Sequence, residues 1–164
     1  MKYAGIGSRS TPTKWLHAIE NIASLLYIRG VTLRSGGAVG ADRAFERGAR
    51  EKKEIFYAED ATKESDEVAK LFHPCWTNLS QYAKKLHSRN AMQILGRELN
   101  DHVDFVLCWT NDGCNSNKTR TPKTGGTGTA ISIADYYEIP VYSLNNDFDR
   151  LRIIDLFERL QDNE

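Results

Sequence analysis

The chain has little that would staple it from within, and nothing that marks it for a membrane. Its three cysteines, Cys75, Cys108 and Cys114, form no C-x-x-C pair, which argues against a disulfide framework and a zinc knuckle. The four histidines, His17, His73, His87 and His102, show no metal-ligand spacing, so no metal is expected. Net charge is also lacking: 22 Lys and Arg balance 22 Asp and Glu. A strong overall field drawing in nucleic acid or an acidic membrane is thereby excluded, while a local basic patch stays open. No apolar run approaches the ~20 residues of a membrane span. The first residues, Lys2-Tyr3-Ala4-Gly5-Ile6, read as a strand rather than a secretion signal. A reducing, cytoplasmic setting is the expectation. The signature G-x-x-x-x-G-K-[ST] is missing, which argues against a P-loop NTPase. There is no internal repeat and no low-complexity tract.

What is present is an alternation of short apolar strands and amphipathic helices. Strands are expected at Tyr3–Ile6, Val31–Leu33, Ile55–Ala58, Val103–Trp109 and Ile139–Leu144. Helices are expected from Pro12 to Gly30, from Ala41 to Ala49, around Val68 to Phe72, from Leu79 to Leu99, from Ala130 to Tyr137 and from Phe148 to Leu160. Cys108, inside an apolar strand, reads as core. The stretch from Thr110 to Thr124 lacks apolar periodicity and is rich in Asn, Thr and Lys, which makes it a long loop. Strands alternating with helices predict an α/β fold: a Rossmann-like, doubly wound, mainly parallel sheet of about five strands with helices on both faces. The 164 residues are expected to form a single domain, residues 1–164, long enough to bury roughly 70% of its unfolded surface.

Three glycine-rich turns each follow a strand. They are Gly5-Ile6-Gly7-Ser8-Arg9, Ser35-Gly36-Gly37-Ala38-Val39-Gly40-Ala41-Asp42 and Thr124-Gly125-Gly126-Thr127-Gly128-Thr129. Glycine lets backbone N–H groups approach an anion closely, and a helix start adds a partial positive charge of roughly half a unit. If the first strand is central, the three turns meet at the carboxyl end of the sheet, where such folds bind ligands. The expected phosphate crevice therefore comprises Gly7, Ser8, Arg9, Ser35, Gly36, Gly37, Gly40, Asp42, Arg89, Asn90, Gly125, Gly126, Thr127, Gly128 and Thr129. Arg9 and Arg89 supply charge, against the alternative that each is a solvated surface residue. The hydroxyls of Ser8, Ser35, Thr127 and Thr129 either donate to the anion or cap helices. Asp42 holds a ribose hydroxyl, positions water, or favours its helix start electrostatically. Lys118, Arg120 and Lys123 make a basic stretch in the long loop, fit for nucleic acid or simply solvated. A dinucleotide site is disfavoured: Ser10 stands where a third glycine belongs, and Arg34-Ser35 closes the second strand in place of an acidic residue. No cofactor is expected.

The ordered set I-G-S-R-x-T-P, S-G-G-A-x-G-A-D, R-N within a helix, and G-G-T-G-T-A resembles the SLOG superfamily, which includes the DprA/Smf DNA-processing proteins and the Lonely Guy phosphoribohydrolases. The resemblance runs from Tyr3 to Leu144, as in a small stand-alone member of the phage type. It implies a Rossmann core whose Arg9, Arg89, Asn90 and second and third turns meet a nucleotide phosphate. The DprA/Smf side implies single-stranded DNA and self-association. The Lonely Guy side implies hydrolysis of the N-glycosidic bond of a nucleoside 5'-monophosphate. Its third motif, P-G-G-x-G-T-x-x-E, differs here at two positions: Thr124 replaces the proline and Ser132 the glutamate. A serine cannot act as the carboxylate of that chemistry; Asp42 and Asp135 are the substitutes at hand, Asp42 the preferred catalytic candidate.

The expectation is binding of a nucleotide or nucleotide-derived ligand through its phosphate, for sensing or sequestration. The alternatives are N-glycoside hydrolysis and binding of single-stranded DNA. No membrane partner is expected; a homo-oligomer, most simply a dimer, is, through an apolar face of the long helix or the last helix.

Overall fold

The structure, a computed structural model, describes residues 1–161. Five strands form one sheet: β1 (Lys2–Gly7), β2 (Thr32–Ser35), β3 (Lys53–Ile55), β4 (Phe105–Trp109) and β5 (Val141–Ser143). Their order is β3-β2-β1-β4-β5 and every pairing is parallel. This is the Rossmann-like, doubly wound arrangement the alternating pattern predicts. The order reverses between β1 and β4, so the carboxyl ends of those two strands flank a natural crevice.

Six α-helices accompany the sheet: α1 (Thr13–Ile28), α2 (Ala41–Ala49), α3 (Lys63–Phe72), α4 (Gln81–Leu95), α5 (Thr127–Tyr136) and α6 (Asp147–Gln161). The period of two in β1 sorts them onto two faces. Tyr3 points to one side and packs with Leu33, Phe105 and Leu107 beneath α1, α2 and α6. Ala4 and Ile6 point to the other and pack with Val106 and Cys108 beneath α4 and α5. The Tyr3 and Phe105 rings stack at 5.6 Å across the β1–β4 register. Cys108 is fully buried.

Boundaries shift where local chemistry competes with periodicity. Helix α4 stops at Gly96, in the left-handed region at φ +85°, so it is shorter than the span to Leu99. Helix α5 starts at Thr127 rather than Ala130, taking in Gly128. Strand β3 ends at Ile55, and Ala58–Asp60 turn as a 3-10 helix. Helix α1 starts at Thr13 just after Pro12, which provides no side-chain cap bond, while Thr11 donates to the Ser8 carbonyl at 2.7 Å. Arg34, which excluded a dinucleotide site, is almost fully buried. It is tied to Glu54 at 2.8 Å and to Asp101 at 2.6 Å, as a buried guanidinium must be paired.

The long loop is not free. The hydroxyls of Thr121 and Thr124 both donate to Asp112 at 2.6 Å, Asn115 donates to the buried Asp149 at 2.9 Å, and the Asn117 amide donates to Asp135 at 2.8 Å. These bonds deliver the third glycine turn to the sheet's carboxyl end in a fixed position. The face of α4 from Ser88 to Leu95 is wholly buried, so its apolar residues there offer no surface for subunit pairing. Helix α6 does expose Phe148, Leu151 and Ile154. No helix among the described residues is long and apolar enough to cross a membrane.

Candidate functional site

At the β1–β4 switch point lies a crevice of about 350 Å³, within the size of small-molecule sites. All three glycine turns reach it: Gly7, Ser8 and Arg9 from the first, Ala38 and Asp42 from the second, and Gly125, Gly126 and Thr127 from the third. Helix α4 closes it with His87, Arg89, Asn90 and Gln93.

Backbone proximity explains the glycines of the first two turns. A Cβ on Gly7 would stand 2.7 Å from the Trp109 carbonyl oxygen, and one on Gly40 would stand 2.6 Å from that of Ser8. Gly40 also sits at φ +87°, a region costly for other residues. A side chain on Gly36 would occupy the place of the Arg89 guanidinium, and one on Gly37 would press on the Tyr57 ring at 2.8 Å. These four glycines weld the turns to each other and to their neighbours.

The amides at the joint of those turns already have an anion. Asp42 is buried in the first turn of α2; its carboxylate accepts from the Ala38 N–H at 3.3 Å and faces the Gly7 and Gly36 amides. Burial pushes its pKa up to about 6, against the Arg89 charge and those amides. The Ser35 hydroxyl is likewise spoken for, donating to the Gly5 carbonyl at 2.6 Å, and the Ser8 amide donates to Trp109 at 3.0 Å. The second turn therefore presents an internal carboxylate where ligand phosphate was expected.

The third turn is different. Gly125 lies at φ +68° with nothing within 4 Å of where a Cβ would be. The Gly125 amide closes the 3-10 turn over Pro122–Thr124, but among the described residues no protein group accepts from the Gly126 or Thr127 amides, so the start of α5 is left with unpaired donors. Asn90 lines the crevice and donates to the Gly126 carbonyl at 3.0 Å, tying this turn to α4. Thr129 is buried and meets His87 Nδ1 at 2.9 Å. Gly128 is covered by the Arg120 guanidinium, and Thr127 stays half-exposed on the crevice wall.

Two cations serve the crevice. Arg89 is only 7% exposed. Its Nη1 donates to the carbonyls of Gly36 and Phe56, whereas its buried Nε has no partner. Burial lowers its pKa, the Asp42 carboxylate opposing and Arg9 reinforcing the effect. Arg9 is exposed at the mouth, with no ion pair among the described residues. His87 was not among the expected site residues, yet its ring lines the crevice and packs on His73 at 4.4 Å. Burial, then His73, Arg120 and Arg89, hold its pKa down at about 4, so it is neutral at physiological pH. The signal for it lay in the sequence: His87, Ser88, Arg89, Asn90 and Gln93 interrupt the apolar pattern carried by Tyr82, Leu86, Ala91, Ile94 and Leu95, and all five are at least half-buried.

The remaining residues fall elsewhere. Lys118 and Lys123 are exposed on the long loop, but Arg120 is turned inward, donating to the Phe72 carbonyl at 2.7 Å, to Ser132 at 3.1 Å and to Thr129 at 3.3 Å. The expected three-residue basic stretch is thus two lysines, because the arginine is consumed in covering the bare backbone of α5. Ser132 and Asp135 face a neighbouring groove rather than the crevice. No group of His, Cys, Asp and Glu among the described residues has the makings of a metal site.

Comparison with known proteins bears on the fold alone. No protein-family model matches the chain, and no curated protein matches it. Among solved structures, the DNA processing protein A from Helicobacter pylori, studied for its single-stranded DNA binding mode, is similar with a TM-score of 0.59 and 17% identity. The match covers 94% of this chain and 72% of the other. At that identity the likeness concerns the fold.

Proposed function

We propose that the crevice binds a nucleotide or nucleotide-derived ligand by its phosphate, seated on the open third turn. The observation that carries this is a pair of complementary vacancies in hydrogen bonding. The Gly126 and Thr127 amides have no protein acceptor among the described residues, and Arg89 carries a buried Nε donor without a partner in the same crevice. One phosphate between them would satisfy both, with Arg9 adding charge from the mouth. Charge-assisted bonds of this kind contribute about 1.5–3 kcal/mol each, so three or four give micromolar affinity after the cost of association.

Hydrolysis of an N-glycosidic bond is less well supported. Asp42 is buried, bonded to the Ala38 amide and turned toward those of Gly7 and Gly36, which serves a structural anion, and Ser132 lies outside the crevice. Sensing or sequestration is the reading that follows. The test is calorimetry with inorganic phosphate, ribose 5-phosphate and a panel of nucleoside 5'-monophosphates, with assay of released base. Binding without release supports the proposal. Release of base would move the protein to the hydrolases, and absence of binding to any of them would reject the site.

A second reading has the fold likeness in its favour: the phosphates of single-stranded DNA entering the same crevice, with the exposed Lys118 and Lys123 of the long loop adding charge. A log–log salt slope that falls by about 1.4 when both lysines become Ala would support it. Self-association, if it accompanies either reading, has the Phe148, Leu151 and Ile154 stripe of α6 as its surface; sedimentation of the I154E variant checks this.

A further inference from the structure

A second cavity, of about 1260 Å³, adjoins the crevice. Its walls are the end of α3, the segment from His73 to Cys75, the long loop and the outer side of α5. Gly125 lines both cavities. It has no side chain, its φ is positive, and the space above it is empty, so the two cavities communicate over that residue. On the crevice side of this passage are the unpaired amides. On the other side the walls carry exposed apolar surface, with Leu71 81% and Tyr136 71% exposed. Phe72 meets the Tyr136 ring at 5.5 Å, edge to face.

The groove also has a polar edge. Asn117 Oδ1 accepts from Ser132 at 2.8 Å, and Asp135 Oδ2 accepts from the Asn117 amide at 2.8 Å. Among the described residues nothing engages Asn117 Nδ2 or the second oxygen of Asp135. A side-chain donor and a side-chain acceptor therefore line the same groove as the Phe72 and Tyr136 rings. That is the chemistry that recognises a flat heteroaromatic ring: its face stacks on aromatic side chains and its edge offers an acceptor beside a donor.

We propose that this groove is the base site of the same ligand, so that a nucleotide spans Gly125 with its phosphate in the crevice and its base between Tyr136 and the Asn117–Asp135 edge. The inference rests on the phosphate reading and adds a chemical class to it: an aromatic base joined to a phosphate, in preference to a sugar phosphate or a free anion. Gly125 is then a specificity-determining residue, because a side chain there would close the passage while leaving the two ends intact.

The experiment compares ribose 5-phosphate with a panel of nucleoside 5'-monophosphates, on the full chain and on its Tyr136→Ser and Asp135→Asn variants. Tyr136 is exposed, so its replacement leaves the core untouched. The expected result is that at least one nucleotide binds about tenfold or more tighter than ribose 5-phosphate, from stacking of the base. Tyr136→Ser should erase that advantage and leave ribose 5-phosphate unchanged, and Asp135→Asn should alter the ranking of bases. Resonances of Tyr136 and Leu71 should shift with the nucleotide but not with the sugar phosphate. Equal affinity for both ligand types, or a nucleotide advantage that survives Tyr136→Ser with no shift at Tyr136, overturns the base site and leaves the phosphate reading standing. Failure of ribose 5-phosphate and every nucleotide to bind rejects both.

Discussion

Replacing Asp42 by asparagine should change how stability depends on pH more than it changes stability at any one pH. The Asp42 carboxyl titrates at about 6 in the folded protein and at the ordinary 3.8 when exposed. A folded pKa that is raised contributes stability that is full below 3.8 and is lost as pH rises through 6. At about 1.4 kcal/mol per pH unit the gap amounts to about 3 kcal/mol. The carboxamide of the D42N variant is neutral throughout, so its hydrogen-bonding defects appear as a constant offset. The stability of the natural chain minus that of D42N should therefore fall by about 2.4 kcal/mol between pH 4 and pH 7, the rest of the gap lying below pH 4. His87 runs the other way. Its folded pKa of about 4 lies below the ordinary 6.5, so its contribution is full above 6.5 and lost as pH falls toward 4, by about 2 kcal/mol after allowing for the partly exposed ring. In the natural chain the two largely offset one another between pH 4 and 6. D42N exposes the histidine slope, and H87Q exposes the aspartate slope.

Urea denaturation at pH 4.5, 5.5, 6.5 and 7.5, with m held common, reads these differences directly. In thermal melts the D42N difference should amount to about 10 °C across the window. A D42N difference that is flat with pH, or that grows with pH, would refute the claim that a buried carboxylate strains against desolvation in the second turn.

Other substitutions address the crevice and its walls. R89M should weaken ribose 5-phosphate binding about 10- to 100-fold in calorimetry, and R89K should restore only part of it, since Lys lacks the planar fork. R9A should cost about tenfold or less in the same assay while leaving the melting temperature within a degree or two, because Arg9 is exposed. G40A places a methyl 2.6 Å from the Ser8 carbonyl oxygen at φ +87°, and should destabilise by about 3 kcal/mol in urea. G125A, at φ +68° with open space around it, should cost only about 1–2 kcal/mol of stability yet weaken nucleotide binding more than ribose 5-phosphate binding.

Much of this could be read from residue order, and what escaped did so for definite reasons. The strands and their parallel arrangement followed from apolar runs punctuated by glycine turns, and the three turns do converge. Their separate roles were hidden, because Gly40 and Gly125 look alike as letters. Only coordinates show that one is pressed against Ser8 and Arg9 while the other borders empty space. The identity of the anion on the second turn was hidden too. Asp42 follows Gly40 by two residues, at the position where a first-turn acidic residue favours its own helix, and that bland possibility, extended to the Ala38, Gly7 and Gly36 amides, is what the fold uses. Arg120 was misleading because composition registers its charge and not the bare Gly128 it covers. The groove beside the crevice was not legible, since it is assembled from α3, the long loop and α5, segments with no motif in common.

The division of labour among the turns has a physical logic. Two helix starts, those of α2 and α5, and a glycine turn at the end of β1 meet at one small cavity; in the absence of ligand their unpaired amides would be a standing cost. Asp42 removes that cost at two of the turns permanently and ties them together in doing so. What remains is one open helix start, one buried guanidinium with an unpartnered Nε and Arg9 at the mouth, a set that in the proposed reading suits a single phosphate group. The carboxylate also limits the anions that can approach: a second negative group pushed toward the β1–β2 side would meet Asp42. A ligand with one phosphate and a neutral remainder should therefore be favoured over a di- or triphosphate. Calorimetry with a nucleoside mono-, di- and triphosphate of one base gives the ranking; tighter binding of the triphosphate would refute the assignment of Asp42 as the internal anion of this site, and D42N should narrow the gap between the three.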